Sequence, residues 1–90
     1  VTQEKNNLDM IHQLPRLKWA CRRGMLELDV LLGNFLENHY PELTDDDKRL
    51  FIMLLEYTDP EIFSWLMGKA IPTDQQLARI TEIIRKHAKS

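Results

Sequence analysis

The chain has 90 residues, 43% apolar and 29% charged, with a formal net charge of −2 at pH 7. That length sets one domain with a modest core, since chains of this size bury only somewhat more than ~60% of their unfolded surface. No apolar run approaches the ~18 residues a membrane span needs, and a single cysteine, Cys21, excludes an intramolecular disulfide and a thiolate metal cluster.

The first stretch, "VTQEKNNLDM", is polar, with no hydrophobic signal core and no Arg-rich transit character. It begins without Met and is expected to be trimmed, remade or frayed, so residues 1–13 are expected to be a flexible segment and 14–88 a five-helix domain. A bacterial-type cytoplasmic protein is the expectation.

The spacing predicts a first helix over Pro15 to Arg23. Proline suits the first helical turn, Arg22 and Arg23 suit the carbonyl end of the dipole, and Gly24 suits a left-handed stop. Basic neighbours lower a thiol's pKa, yet a lone Cys21 on a helix is expected to serve as a small buried hydrophobe. A second helix runs from about Met25 to His39, with Met25, Leu28, Leu32, Phe35, Leu36 and His39 on one face. Glu27 and Asp29 lie near its positive N-terminus, and Tyr40-Pro41 ends it.

A third helix opens at "TDDDKRLFIMLLE", with Thr44 as N-cap and Leu50, Phe51, Leu54 and Leu55 as its buried stripe. A fourth opens at "DPEIFSWLMGK", with Asp59 as cap, Pro60 at the first helical position and Gly68 near the stop. In the fifth, Thr73 and Gln76 have capping-box spacing, and Leu77, Ile80, Ile84 and His87 line one face. Strict apolar/polar alternation is absent, so the fold class is all-α: one compact domain of about five short helices joined by short connections.

Charge is uneven along the chain: residues 1–23 carry +3, residues 24–61 carry −8 and residues 62–90 carry +3. An acidic middle of that size argues against wrapping a nucleic-acid backbone. It suits a protein partner with a basic patch, or solubility. The basic segment "RLKWACRR" is the best opposing clue, because aromatics among basic residues stack on nucleic acid. The helix that follows it opens acidic and apolar, unlike a groove-reading helix.

Little in the chain resembles a catalytic centre. His12, His39 and His87 show no zinc-helix spacing, and Ser64 beside Trp65 is not on a nucleophile elbow. Asp45, Asp46 and Asp47 lack the alternation and glycine of a calcium loop. Gly24, Gly33 and Gly68 form no phosphate cradle, and there is no βαβ unit to hold one. What remains is Arg23-Gly24-Met25-Leu26-Glu27, read either as a well-capped helix junction or as an exposed turn that displays opposite charges to a partner.

"WACRRGMLELD" closely resembles the signature of the succinate dehydrogenase flavinylation factors, the SdhE (YgfY-like) family. The core signature Arg-Gly-x-x-Glu is met by Arg23, Gly24 and Glu27, and the likeness extends through "LTDDDKRLFIMLLEYTDPEIFSWLMG". The resemblance implies a five-helix fold. It also implies a role in covalent attachment of FAD to the flavoprotein subunit of succinate dehydrogenase, and often of the related fumarate reductase. FAD would then be the client's cofactor and the acceptor histidine the client's residue, with no cofactor held stably here. The chain would be an assembly factor rather than an enzyme, one that binds its client and stabilises a competent conformation. In that picture Arg23 and Glu27 make polar contacts at the interface, Gly24 permits the turn, and Arg16, Trp19 and Asp29 share the surface. Trp65 and Phe63 match the downstream block and are explained equally well by core packing, with the core reading favoured for Trp65 over an interface role. The alternatives are Glu27 or Asp29 as an acid or base in a composite site, and direct delivery of FAD.

Overall fold

The computed structural model describes residues 11–88. Residues 1–10, most of the segment expected to be flexible, lie outside the described residues. Ile11 is buried, and its carbonyl accepts a 2.8 Å hydrogen bond from the buried Tyr40 hydroxyl.

Among the described residues the architecture is helical throughout: α1 (Leu14–Ala20), α2 (Leu26–Asn38), a 3-10 turn (Tyr40–Glu42), α3 (Asp45–Leu54), α4 (Asp59–Leu66) and α5 (Gln75–Ala88). Helix α5 packs against α2, α3 and α4, while α1 lies on α2. The core is where the apolar stripes meet: Leu17 and Cys21 from the first segment, Leu28, Leu32, Phe35 and Leu36 from α2, Phe51 and Leu54 from α3, Ile62 from α4, and Leu77, Ile80 and Ile84 from α5. Each such side chain contributes about 1.5–3 kcal/mol when fully withdrawn from water. That burial lets helices as short as α1 and α4 persist. Phe63 and Trp65 pack against this core half-buried, and Trp65 sets its edge against Tyr57 with centroids 5.4 Å apart.

Several helix ends differ from the sequence expectation, each for a local reason. Helix α1 stops at Ala20, so Arg22 and Arg23 lie beyond it instead of in its last turn. Beyond the helix the Arg23 guanidinium turns back onto the Ala20 carbonyl, 2.9 Å away, and satisfies that helix-end acceptor. Helix α2 begins one residue later than expected, with Met25 extended at the cap, and ends at Asn38. Tyr40-Pro41 does not simply end it but continues as the 3-10 turn.

Thr44 caps α3 as expected, accepting from the Asp47 N–H at 3.1 Å. Of the expected α3 stripe, Phe51, Leu54 and Leu55 are buried and Leu50 is half-buried. The cap of α4 is Thr58, not Asp59: the Thr58 hydroxyl oxygen accepts from Glu61 N–H and its hydroxyl donates to the Glu61 carboxylate. Asp59 becomes the first helical residue, its carboxylate engaged elsewhere. At α5 the expected Thr73–Gln76 box is replaced by Asp74, whose Oδ1 accepts from the Gln76 and Leu77 N–H groups at 2.7 and 3.2 Å. Asp74 lies one residue nearer the helix, and its carboxylate, one bond longer in reach than a threonine hydroxyl, meets those amides.

Two long-range features close the bundle. Asp47, almost fully buried in the first turn of α3, accepts two hydrogen bonds from Arg79 of α5 at 3.1 and 3.3 Å. His39 and His87, at the ends of α2 and α5, stack with centroids 3.9 Å apart beside Phe35. No group of three or more potential metal ligands comes together among the described residues, and no helix is long and apolar enough to cross a membrane.

Candidate functional site

The connection from α1 to α2 carries Arg23, Gly24 and Met25, and its geometry is set by two hydrogen-bond systems. In the first, the Arg23 side chain points inward, only 15% exposed, and reaches the opposite connection between α3 and α4. Its Nε donates to Asp59 Oδ1 at 2.7 Å, its Nη1 to the Ala20 and Leu55 carbonyls at 2.9 and 2.8 Å, and its Nη2 to the Tyr57 carbonyl at 2.7 Å. Four of the five N–H groups of a guanidinium are thereby engaged within the chain. The acceptors at Ala20 and Leu55 are helix-end carbonyls that lack intrahelical partners. Arg23 therefore closes the ends of α1 and α3 and pairs with the start of α4.

In the second system the Asp29 carboxylate, from the first turn of α2, folds back over the connection. Its Oδ1 accepts from the Arg23 N–H at 2.7 Å and its Oδ2 from the Gly24 N–H at 3.3 Å. Gly24 sits between these anchors at φ +87°, a conformation that L side chains rarely adopt. A Cβ placed there would meet nothing within 4 Å. The requirement for glycine is thus one of backbone conformation, and the face above it is open.

The exposed side chains follow from this frame. Glu27 projects into solvent from the first turn of α2. Beside it, Leu26 is 78% exposed, Val30 51% and Trp19 72%, an unusual concentration of apolar surface for so small a domain. An open groove of about 750 Å³ runs between α1 and α2, with Trp19, Arg22, Leu26, Asp29, Val30 and Glu37 among its walls. The Arg22 guanidinium lies over the Trp19 ring, 5.7 Å from its centroid. Cys21 lies under the groove floor, where burial pushes its thiol up to about 12, with Arg23 opposing and Asp29 adding to the shift.

The structure therefore brings together four of the residues expected from the sequence. Arg23, Gly24 and Asp29 share one hydrogen-bonded turn, and Trp19 faces the adjoining groove. Glu27 stands at the exposed edge of that turn. Arg16 is exposed on α1, bonded to Gln13 at 3.1 Å, and does not line the groove. Reasoning from the sequence missed Asp59, read only as a helix cap, because nothing local links it to an arginine 36 residues away. It also missed Leu26 and Val30, whose four-residue spacing on α2 falls off the buried stripe and marks a second apolar face.

Comparison with known proteins agrees with this frame. Residues 15–88 match the family model described as the flavinator of succinate dehydrogenase. The FAD assembly factor SdhE of Shewanella oneidensis is 53% identical over 75 residues, spanning 83% of this chain and 92% of that protein. The FAD assembly factor SdhE of a Serratia strain is 49% identical over 80 residues, 89% of this chain and 91% of its own. That of Photorhabdus laumondii is 49% identical over 74 residues, 82% and 84% of the two chains. The match takes in α2 to α5, α1 from its second residue and the Arg23–Glu27 turn, and the chain belongs to the family of flavinators of succinate dehydrogenase.

Proposed function

We propose that this chain is an assembly factor that binds the flavoprotein subunit of succinate dehydrogenase and promotes covalent attachment of FAD to it. The related flavoprotein of fumarate reductase is a second client in this reading. The observation that carries it is the exposed apolar and acidic surface around Leu26, Glu27, Val30 and Trp19, held in place by a rigid turn. Such a surface suits a protein partner: an aromatic anchor and aliphatic groups at the centre, charges at the rim.

The mechanism is conformational. The factor binds the client state in which the acceptor histidine and the flavin are correctly placed, and so raises that state's population. Placing two groups for reaction lowers a barrier without any catalytic side chain from the factor. FAD is the substrate joined to the client, not a group resident on this chain. Gly24 supports close approach of backbone to partner, Glu27 supplies a directional charge, and Arg23 and Asp29 act by holding that segment in shape.

The test is in-gel covalent flavin fluorescence of the flavoprotein subunit in cells lacking their own factor. The native chain is expected to restore the signal. Glu27→Lys, a change at an exposed position, is expected to abolish it while leaving the thermal midpoint within a few degrees of native, as surface substitutions commonly do. Failure of the native chain to restore fluorescence overturns the reading. Glu27→Gln separates a contact role from an acid or base role: in the contact reading flavinylation and client binding fall together, whereas retained binding with lost flavinylation identifies a chemical role.

A further inference from the structure

Of the three signature residues, Arg23 has its side chain directed inward, while its main-chain N–H is held by the Asp29 carboxylate. Its guanidinium has two kinds of acceptor. Three are the main-chain carbonyls of Ala20, Leu55 and Tyr57, and one is the carboxylate of Asp59. The carbonyls orient the fork but leave its charge uncompensated, and a part-buried cation without a counter-charge is unfavourable. Asp59 supplies that charge from a fixed place. It opens α4 directly after the Thr58 cap, so its position is set by the helix.

The same residue begins the exposed turn. The Arg23 N–H is held by Asp29 at 2.7 Å, and the next residue is Gly24 at φ +87°. Four side-chain torsions separate the guanidinium from the Arg23 backbone, but the fork is anchored at four acceptors, so the stem is held at both ends and loss of the Asp59 anchor loosens the hold on the backbone at Arg23 and Gly24. A glycine, with two broad accessible regions, offers little resistance of its own.

We propose that Asp59 is a positioning residue for the signature turn: by compensating and orienting the Arg23 guanidinium it fixes the direction in which Gly24 and Glu27 are presented to a flavoprotein subunit. The inference rests on the client-binding reading above and deepens it. Asp59 acts through Arg23, from the far side of the turn, and carries no contact of its own with the client.

Asp59→Asn tests this, since it keeps size and one acceptor but removes the charge. Two measurements are made with the purified chain: amide hydrogen exchange by NMR, and affinity for the purified flavoprotein subunit by calorimetry. The expected result is a cooperative melt with α5 amides still protected, and exchange at the Arg23 and Gly24 amides faster by about tenfold or more. Client affinity is expected to fall about tenfold, equivalent to about 1.4 kcal/mol. Asp59→Glu, which retains the charge, is expected to recover the greater part of both. A simple loss of stability would instead raise exchange across all the helices together.

Native exchange at Arg23 and Gly24, or a uniform loss of protection, overturns the proposal, as does unchanged affinity. If Asp59→Asn does not fold, Asp59→Ser, which is smaller and uncharged but keeps a hydroxyl acceptor, takes its place in the same two measurements, and the same outcomes support or overturn the proposal. A native chain that does not bind the flavoprotein subunit refutes the client-binding reading instead, and the exchange pattern still judges the role of Asp59 in the turn.

Discussion

Arg22 and Arg23 are adjacent and chemically identical, yet the structure gives their alanine substitutions very different outcomes. Arg23→Ala removes the donors to the carbonyls of Ala20, Leu55 and Tyr57 and the counter-charge of Asp59. The Arg23 side chain is 15% exposed and that of Asp59 29%, so water replaces these contacts only in part. Hydrogen bonds to a charged group contribute about 1.5–3 kcal/mol when removed singly, and less each when lost together as water enters. A total of about 3–4 kcal/mol follows, a large share of the roughly 5–10 kcal/mol expected for a domain of this size. Arg22 is exposed and lies over a Trp19 ring that is itself 72% exposed. Its loss is expected to stay within about 0.5 kcal/mol. In urea unfolding, with a slope of about 1 kcal/mol per M, the Arg23→Ala midpoint falls by about 3 M and the Arg22→Ala midpoint by less than about 0.5 M. Equal midpoints for the two variants, or an Arg23→Ala chain within about 1 kcal/mol of native, would refute the assignment of Arg23 as an internal clasp.

Two further outcomes follow from local chemistry. Burial raises the Cys21 thiol from 9.0 to about 12, and burial, aided by Asp45, raises the Tyr40 hydroxyl from 10.0 to about 12. Both groups are acids held neutral in the fold, so their stabilising contribution is complete below pH 9 and is lost as pH rises from 9 towards 12. Thermal midpoints should fall across that window, and a thiol reagent at pH 8 should label Cys21 only after denaturation; rapid labelling of the native chain would contradict the burial. Gly24→Ala meets no neighbouring atom but forces a Cβ onto φ +87°, so it should cost about 1–2 kcal/mol in denaturant unfolding. A stabilised Gly24→Ala chain would show that the turn relaxes out of the left-handed region.

The outward and inward halves of the signature explain why its residues share one short segment. Gly24 and Glu27 face solvent, while Arg23 and Asp29 spend their polar groups on the frame. A signature of this kind records both a contact surface and the internal bonds that hold it.

The sequence alone determined the five α-helices of the described residues, because apolar residues recur at three- and four-residue steps and burial of those stripes is the dominant driving force. It also determined the place of the turn, since Gly24 is the only glycine between the first two periodic segments. The cap at Thr44 was legible because its partner amide is three residues away. The caps of α4 and α5 were not, because neighbouring Thr and Asp residues compete for the same amides and tertiary contacts decide between them. Above all, the roles of the two arginines belong to the tertiary structure. Local patterning describes both as a cationic helix end, and only the arrival of the α3–α4 connection, more than thirty residues on, buries one guanidinium against carbonyls and Asp59 and leaves the other in water. Periodicity carries information over a few turns of helix, whereas which side chains meet across the bundle depends on packing that no local window contains.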